Sequence, residues 1–159
     1  MAPHAKMTPR TRRARVRACA DATLETSMLL ARLARGEVRR RLPGSLHVLD
    51  VRALAYIDRH PACGPSEVGA YLGLSAPAAT KLVDPLVARK LLTRATAVDD
   101  RRRRVLALTP LGRERLHDAR LVTRAFVEQR LAPVGDAQLE EVQRVMQTLH
   151  RLFAPEAAE

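Results

Sequence analysis

GPSEVGAYLGLSAPAATKLVDPLVARKLLTRATAVDDRRRRVLALT, from Gly64 to Thr109, decides how this chain is read. Gly64 and Pro65 suit an N-cap and a first helical position, because proline has no N–H to lose there and its φ is already helical. A short helix to about Leu72 follows. Gly73 can take the left-handed conformation that closes a helix, and the Ser75 hydroxyl can cap the next one, which leaves Leu74 in a tight turn. Two helices joined in this way form a helix-turn-helix. The second, from Ala76 to about Lys90, carries Ala79, Leu82, Val83 and Leu86 on one face at helical spacing. Its other face carries Pro77, Ala78, Thr80, Lys81 and Asp84. Small side chains at a helix start allow close approach to base edges and thymine methyls, and Thr80 and Lys81 can reach bases or phosphates.

Two short strand-like runs follow, Leu91 to Ala95 and Arg103 to Leu108, joined by the polar turn Val98, Asp99, Asp100, Arg101 and Arg102. A run of arginines is commonly a solvated face. On a hairpin tip it can instead enter a narrow minor groove, whose negative potential attracts arginine. Asp100 beside it can accept hydrogen bonds from an arginine and hold it in a pointing geometry. The segment therefore reads as a helix-turn-helix with a wing, and Ser75, Pro77, Ala78, Thr80, Lys81, Asp100, Arg101, Arg102 and Arg103 are the candidate DNA contacts.

Working outward, apolar or small residues recur at Val16, Ala20, Leu24, Ser27, Met28, Ala31, Ala34 and Val38, one long amphipathic helix from Val16 to Leu42 that Pro43 and Gly44 stop. A second helix from about Val48 to Arg59 presents Val51, Leu54, Ala55 and Ile57 to the core. Thr109 and Pro110 start a helix to about Leu131 that buries Leu116, Ala119, Thr123, Phe126 and Val127. The last helix, about Asp136 to Phe153, has a heptad-like seam of Leu139, Val142, Met146, Leu149 and Phe153. The terminal helices together offer more apolar surface than one small winged core can cover, so dimerisation is their expected use. The fold class is mainly α with a small β-hairpin wing. The expected organisation is a basic flexible arm over 1–12, an N-terminal dimerisation helix over 13–45, a winged helix-turn-helix core over 46–112, C-terminal dimerisation helices over 113–153 and a flexible tail over 154–159.

The 159 residues suit one domain with helical extensions, and a net charge of +11 favours a polyanionic partner. Lys6, Arg10, Arg12, Arg13, Arg15 and Arg17 occur near the N-terminus with no acid among the first twenty residues, a composition that also suits an organellar transit peptide. The helical pattern running on without a break favours an arm that adds phosphate contacts. No apolar run approaches the roughly 18 residues of a membrane span, and no secretory h-region is present, so no membrane partner and a cytoplasmic location are expected. Histidines at 4, 47, 60, 117 and 150 have no metal-ligand spacing, and there is no glycine-rich phosphate loop or nucleophile elbow. The chain reads as non-enzymatic, with no cofactor and no metal.

Leu-Gly-Leu-Ser at 72–75, Thr-Lys-Leu-Val-Asp at 80–84, Leu86, Leu91, Arg94, Asp-Arg-Arg at 100–102 and Leu-Thr-Pro-Leu-Gly at 108–112 resemble the MarR family of winged-helix transcriptional regulators. Leu46, the helix over 48–59, Glu67 and Val68 extend the likeness upstream. It covers roughly residues 20 to 153. The resemblance implies that Arg102 enters the minor groove, that Asp100 orients it, and that the helix after Ser75 lies in the major groove. It also implies a homodimer, whose two-fold symmetry would place the recognition helices roughly 34–36 Å apart on a palindromic operator. Two positions depart from the family pattern. Pro85 stands where a basic residue is usual, and should remove a backbone hydrogen bond and kink the helix. Lys90 replaces the usual terminal glycine.

The resemblance further implies a small-molecule effector bound between the dimerisation helices and the winged core, with Met28, Arg32, His47 and Tyr56 as candidate lining. Some members of the family sense peroxide through a cysteine in the first helix, and Cys19 lies in a corresponding region beside Arg17. The aromatic residues around such a cysteine are absent, so Cys19 and Cys63 are read as reduced, structural thiols. The resulting reading is a ligand-responsive repressor of double-stranded DNA. Its alternatives are a non-specific architectural DNA binder, suggested by the Ala- and Pro-rich recognition helix, and a protein-interaction module that has kept the fold.

Overall fold

Gly64, Pro65 and Gly73 fold locally as their residue types require. The computed structural model describes residues 8–42, 44, 46–97 and 103–153. Its elements are α1 (Pro9–Arg41), α2 (Val48–Arg59), α3 (Pro65–Leu72), α4 (Ala76–Ala88), the strands β1 (Leu92–Thr96) and β2 (Arg104–Leu108), α5 (Pro110–Leu131) and α6 (Asp136–Phe153). At the start of α3, Glu67 reaches back to accept a hydrogen bond from the Gly64 N–H at 2.6 Å. Gly73 closes α3 at φ 69°, a conformation that costs a side-chain-bearing residue more than glycine. Ser75 occupies the N-cap of α4 in extended conformation but makes no side-chain cap hydrogen bond, contrary to expectation. Pro77 at the second helical position removes one of the two N–H groups that a capping hydroxyl can bond, and the other, on Ala78, is not used by Ser75. Helix α4 ends at Ala88, two residues earlier than expected, and Lys90 takes the left-handed conformation at φ 59° that its position demands.

The hairpin pairs β1 and β2 antiparallel in the register Leu92↔Leu108 through Thr96↔Arg104. The α2–α3 loop lies beside β2, where the Leu106 N–H donates to the Cys63 carbonyl at 2.9 Å. Leu54 of α2, Val68 of α3, Val83 and Leu86 of α4, Leu92, Leu106 and Leu116 of α5 are fully buried together and form the core of the winged unit. At the hairpin base, the Thr109 hydroxyl donates to the Lys90 carbonyl at 2.7 Å and accepts from the Gly112 N–H at 2.9 Å, so one side chain both caps α5 and fastens it to the end of α4.

The terminal helices are less covered. Helix α1 starts at Pro9, capped by the Thr8 hydroxyl, so it takes in residues expected to belong to the arm. Within the chain it packs mainly on α5, and of its stripe only the region around Val38 is buried. Val16, Leu24 and Met28 remain 56%, 64% and 71% exposed. Helix α6 has no buried residue, and its Val142, Val145, Met146, Leu152 and Phe153 face outward, with Leu139 and Leu149 half-buried. Of the set expected to be buried on α5, Leu116, Ala119 and Phe126 are buried, whereas Thr123 and Val127 are half-exposed on the same uncovered region. No helix among the described residues is long and apolar enough to cross a membrane.

Candidate nucleic-acid interface and its adjoining cavity

Helix α4 buries Ala79, Val83 and Leu86 and thereby turns the opposite face outward. Ser75, Pro77, Thr80 and Lys81 are exposed there and Ala78 is half-buried, so five of the sequence-predicted contacts share one surface. The Thr80 hydroxyl donates to the Ala76 carbonyl at 3.1 Å. Its proton is thus spent within the helix, and it presents lone pairs and a methyl group, suited to base amino groups and thymine methyls. Lys81 supplies a point charge one residue on.

Asp84 also lies on this face, where a free carboxylate would repel phosphate. Arg94 of β1 donates to it at 2.6 Å. This pair neutralises the carboxylate and ties α4 to the hairpin. The sequence pattern gives Arg94 no partner, because the two residues meet only after the chain reverses. Arg103 reaches the Ala62 carbonyl at 3.4 Å and Arg104 donates to the Thr96 hydroxyl, so the last described turn of the hairpin is basic and anchored to the α2–α3 loop. Asp100, Arg101 and Arg102, the expected wing tip, lie outside the described residues.

A cavity of about 780 Å³ lies between the C-terminal third of α1, the start of α2 and the middle of α5. Ala31, Ala34, Val38, Leu46, Val48 and Val51 give it an apolar floor, and Arg32, Arg35, Arg39, Arg52, Arg89 and His47 give it a basic rim. Of the expected ligand residues, Arg32 and His47 line it. Met28 and Tyr56 do not. Met28 stands exposed further up α1, and Tyr56 lies further along α2, where its ring stacks on Tyr71 at 4.5 Å and meets His60 in a tilted contact at 4.3 Å.

Arg89 is the residue that sequence reasoning missed. It caps the C-terminus of α4, lines the cavity, donates to the Gly44 carbonyl at 3.4 Å and lies 3.5 Å from the buried carboxylate of Asp50. Asp50 in turn accepts from the His47 N–H at 2.9 Å. The end of α4 is therefore bonded to the cavity wall. No periodicity signals this, since Arg89 and Gly44 are 45 residues apart.

Cys63 is buried and Cys19 exposed, both as free thiols. Burial pushes the Cys63 thiol above its ordinary range, and the neighbouring Glu67 carboxylate adds to this. Burial likewise raises the Tyr56 hydroxyl, with Cys63, Glu67 and Tyr71 contributing.

Residues 45–103 match the family model described as the MarR family. Among solved structures the chain is similar to RV1404 from Mycobacterium tuberculosis, with 21% identity, a TM-score of 0.78 and coverage of 91% of this chain and 97% of that one. A probable transcriptional regulator from Pseudomonas aeruginosa is 22% identical, with a TM-score of 0.60 over 78% of this chain and 93% of its own. Wild-type MarR from Escherichia coli in its apo form is 16% identical, with a TM-score of 0.70 over 82% and 95%. No curated protein matches the sequence significantly.

Proposed function

We propose, from the premise that this chain belongs to the MarR family of winged helix-turn-helix transcriptional regulators through its core at residues 45–103, that it is a non-enzymatic, cytoplasmic homodimeric repressor that binds a palindromic operator. In this reading Thr80 and Lys81 address the major groove, with Ser75, Pro77 and Ala78 small enough to let α4 approach the bases. Arg102, oriented by Asp100, enters the minor groove, and Arg101 and Arg103 neutralise flanking phosphates. The observation that carries the reading is the Arg94–Asp84 pair, which holds an outward-facing helix and a basic hairpin as one body. The exposed apolar faces of α1 and α6 support the dimer.

The effector would be a small anion with an apolar body, since the cavity joins an aliphatic floor to a basic rim. A ligand carboxylate that drew Arg89 away from Asp50 would loosen the end of α4, so it would bind the DNA-free conformation more tightly, which is the differential affinity that regulation requires. The alternative of an architectural binder draws on the short side chains of the α4 face. Selection from a random duplex pool separates the two. Recovery of a palindrome, with Arg102→Ala losing about 1–3 kcal/mol and flattening the preference, is expected for the regulator. Unbiased recovery would overturn it.

A further inference from the structure

The N-terminal end of α1 has no counterpart for its charge. Arg10, Arg12, Arg13, Arg15 and Arg17 are all exposed, and the first acid along the helix is Asp21. Among the described residues none of the five guanidinium groups has an ion pair or side-chain hydrogen bond. At 3.6 residues per turn, Arg10, Arg13 and Arg17 share one face while Arg12 and Arg15 take the opposite one. A partner helix laid on any side of α1 therefore leaves arginines on another. The spacing places like charges three and four residues apart, and cations at the positive end of the helix dipole, both of which disfavour the helix. The other end of α1 is built the opposite way, with Glu37 paired to Arg40 and Arg41 and basic residues in the last turn.

The cluster is also far from the reading face. Leu42 lies by Leu111 and Arg115, whereas Ala31 and Ala34 share a cavity wall with Thr123, so α1 runs antiparallel to α5. Helix α5 leaves the core from the hairpin base at Leu91 and Leu108, the end opposite Thr96 and Arg104, and the same base receives the C-terminus of α4. Arg17 stands 21 residues and Arg10 28 residues before the buried Val38, which puts them about 31 and 42 Å up the helix, away from the end of α1 that meets Leu91, Leu111 and Arg115 at the hairpin base. A duplex under α4 would have to fold back over the whole core to touch them, far beyond the bends that proteins ordinarily impose on short sites.

We infer that the arginine end of α1 is a second, sequence-independent duplex-binding surface, so that one dimer holds two segments of DNA, one under its recognition helices and one at the opposite pole. The dimer and its first duplex rest on the regulator reading above. Phosphate suits the cluster better than the other polyanions at hand. A membrane-surface helix needs a bulky apolar face, and this end offers only Val16 before Leu24. The acids of α6, Asp136, Glu140 and Glu141, number three per protomer and do not by themselves balance the five arginines.

The test is capture of a second duplex. Operator duplex selected from a random pool is immobilised and loaded with the full chain, and labelled random-sequence duplex is then added at near-physiological salt. The wild type should retain the label. The variant with Arg10, Arg12, Arg13, Arg15 and Arg17 all changed to Gln should retain at least tenfold less, with unchanged operator affinity and dimer mass and no loss of helicity. The log–log salt slope of capture should fall by about 2–3 per protomer engaged, at about 0.9 for each phosphate that is no longer neutralised. Equal retention by both proteins, or no retention by the wild type once loaded on operator, overturns the inference alone. Failure of the wild type to bind the first duplex contradicts both this inference and the regulator reading. A variant that becomes monomeric reassigns the arginines to the dimer interface, and wild-type binding to anionic phosphatidylserine vesicles without duplex capture reassigns them to a membrane; either result overturns it.

Discussion

Replacing Gly112 with alanine should unlock the junction on which the reading face depends. A Cβ built at Gly112 would lie 2.0 Å from the Leu91 carbonyl oxygen, where ordinary contact begins above 3.4 Å, so α5 and the hairpin base must separate by more than 1 Å. That separation stretches the Thr109 hydroxyl bond to Lys90 (2.7 Å) and the Thr109 N–H bond to Leu91 (3.1 Å). Losing both costs about 2 kcal/mol, and overpacking against backbone about 1–3 more, while alanine returns about 1 through helix propensity. The net expectation is a loss of about 2–4 kcal/mol. Gly36→Ala serves as the control, because it lies inside α1 with nothing within 4 Å of the added methyl, and should be neutral or stabilising by up to about 1 kcal/mol. Urea unfolding followed by circular dichroism at one fixed protomer concentration measures both, since a dimer's stability depends on concentration. A Gly112→Ala protein within about 0.5 kcal/mol of wild type would refute the packing at the hairpin base.

Lys90→Gly should stabilise the protein by about 0.5–1 kcal/mol in the same assay, because removing a side chain from φ 59° saves about 1–2 kcal/mol and the added freedom of the unfolded chain returns part of it. Iodoacetamide at neutral pH should alkylate the exposed Cys19 well before the buried Cys63, as mass spectrometry of timed samples would show. Because folding raises the Cys63 and Tyr56 pKa values, the stability linked to them is present below their ordinary values of 9.0 and 10.0 and is lost as pH climbs through the raised ones, so unfolding free energy should decline on the alkaline side. Changing Val142 and Met146 together to lysine should give a folded monomer in sedimentation at micromolar concentration, since α6 contributes no buried residue to its own chain; a persisting dimer would exclude α6 from the interface.

The parts of the fold that were legible in the sequence are those set by neighbours along the chain. Gly64, Pro65, Gly73 and Ser75 bound two helices by local stereochemistry, and α2 and α6 have the limits that their apolar periods and prolines dictate. Ser75 shows how far such reading extends: its position as N-cap follows from type, but whether its hydroxyl makes the capping bond does not. The cavity was legible only through Arg32 and His47, because its other basic residues are gathered by helices that meet far apart in sequence. Arg89 and Asp50 are of that kind, as is the Arg94–Asp84 pair. The apolar stripes of α1 and α6 were visible as periodicity, yet periodicity does not distinguish a face covered within the chain from one left for a second copy. Their exposure shows that neither is covered within the chain.

The central claim, a sequence-specific regulator, is tested most directly by comparing affinity for the chain's own upstream intergenic DNA with that for a scrambled duplex of equal length, at near-physiological salt, where electrostatic attraction alone no longer dominates. A preference of about a thousandfold or more is predicted. Equal affinity for the two duplexes would contradict it and favour the architectural binder.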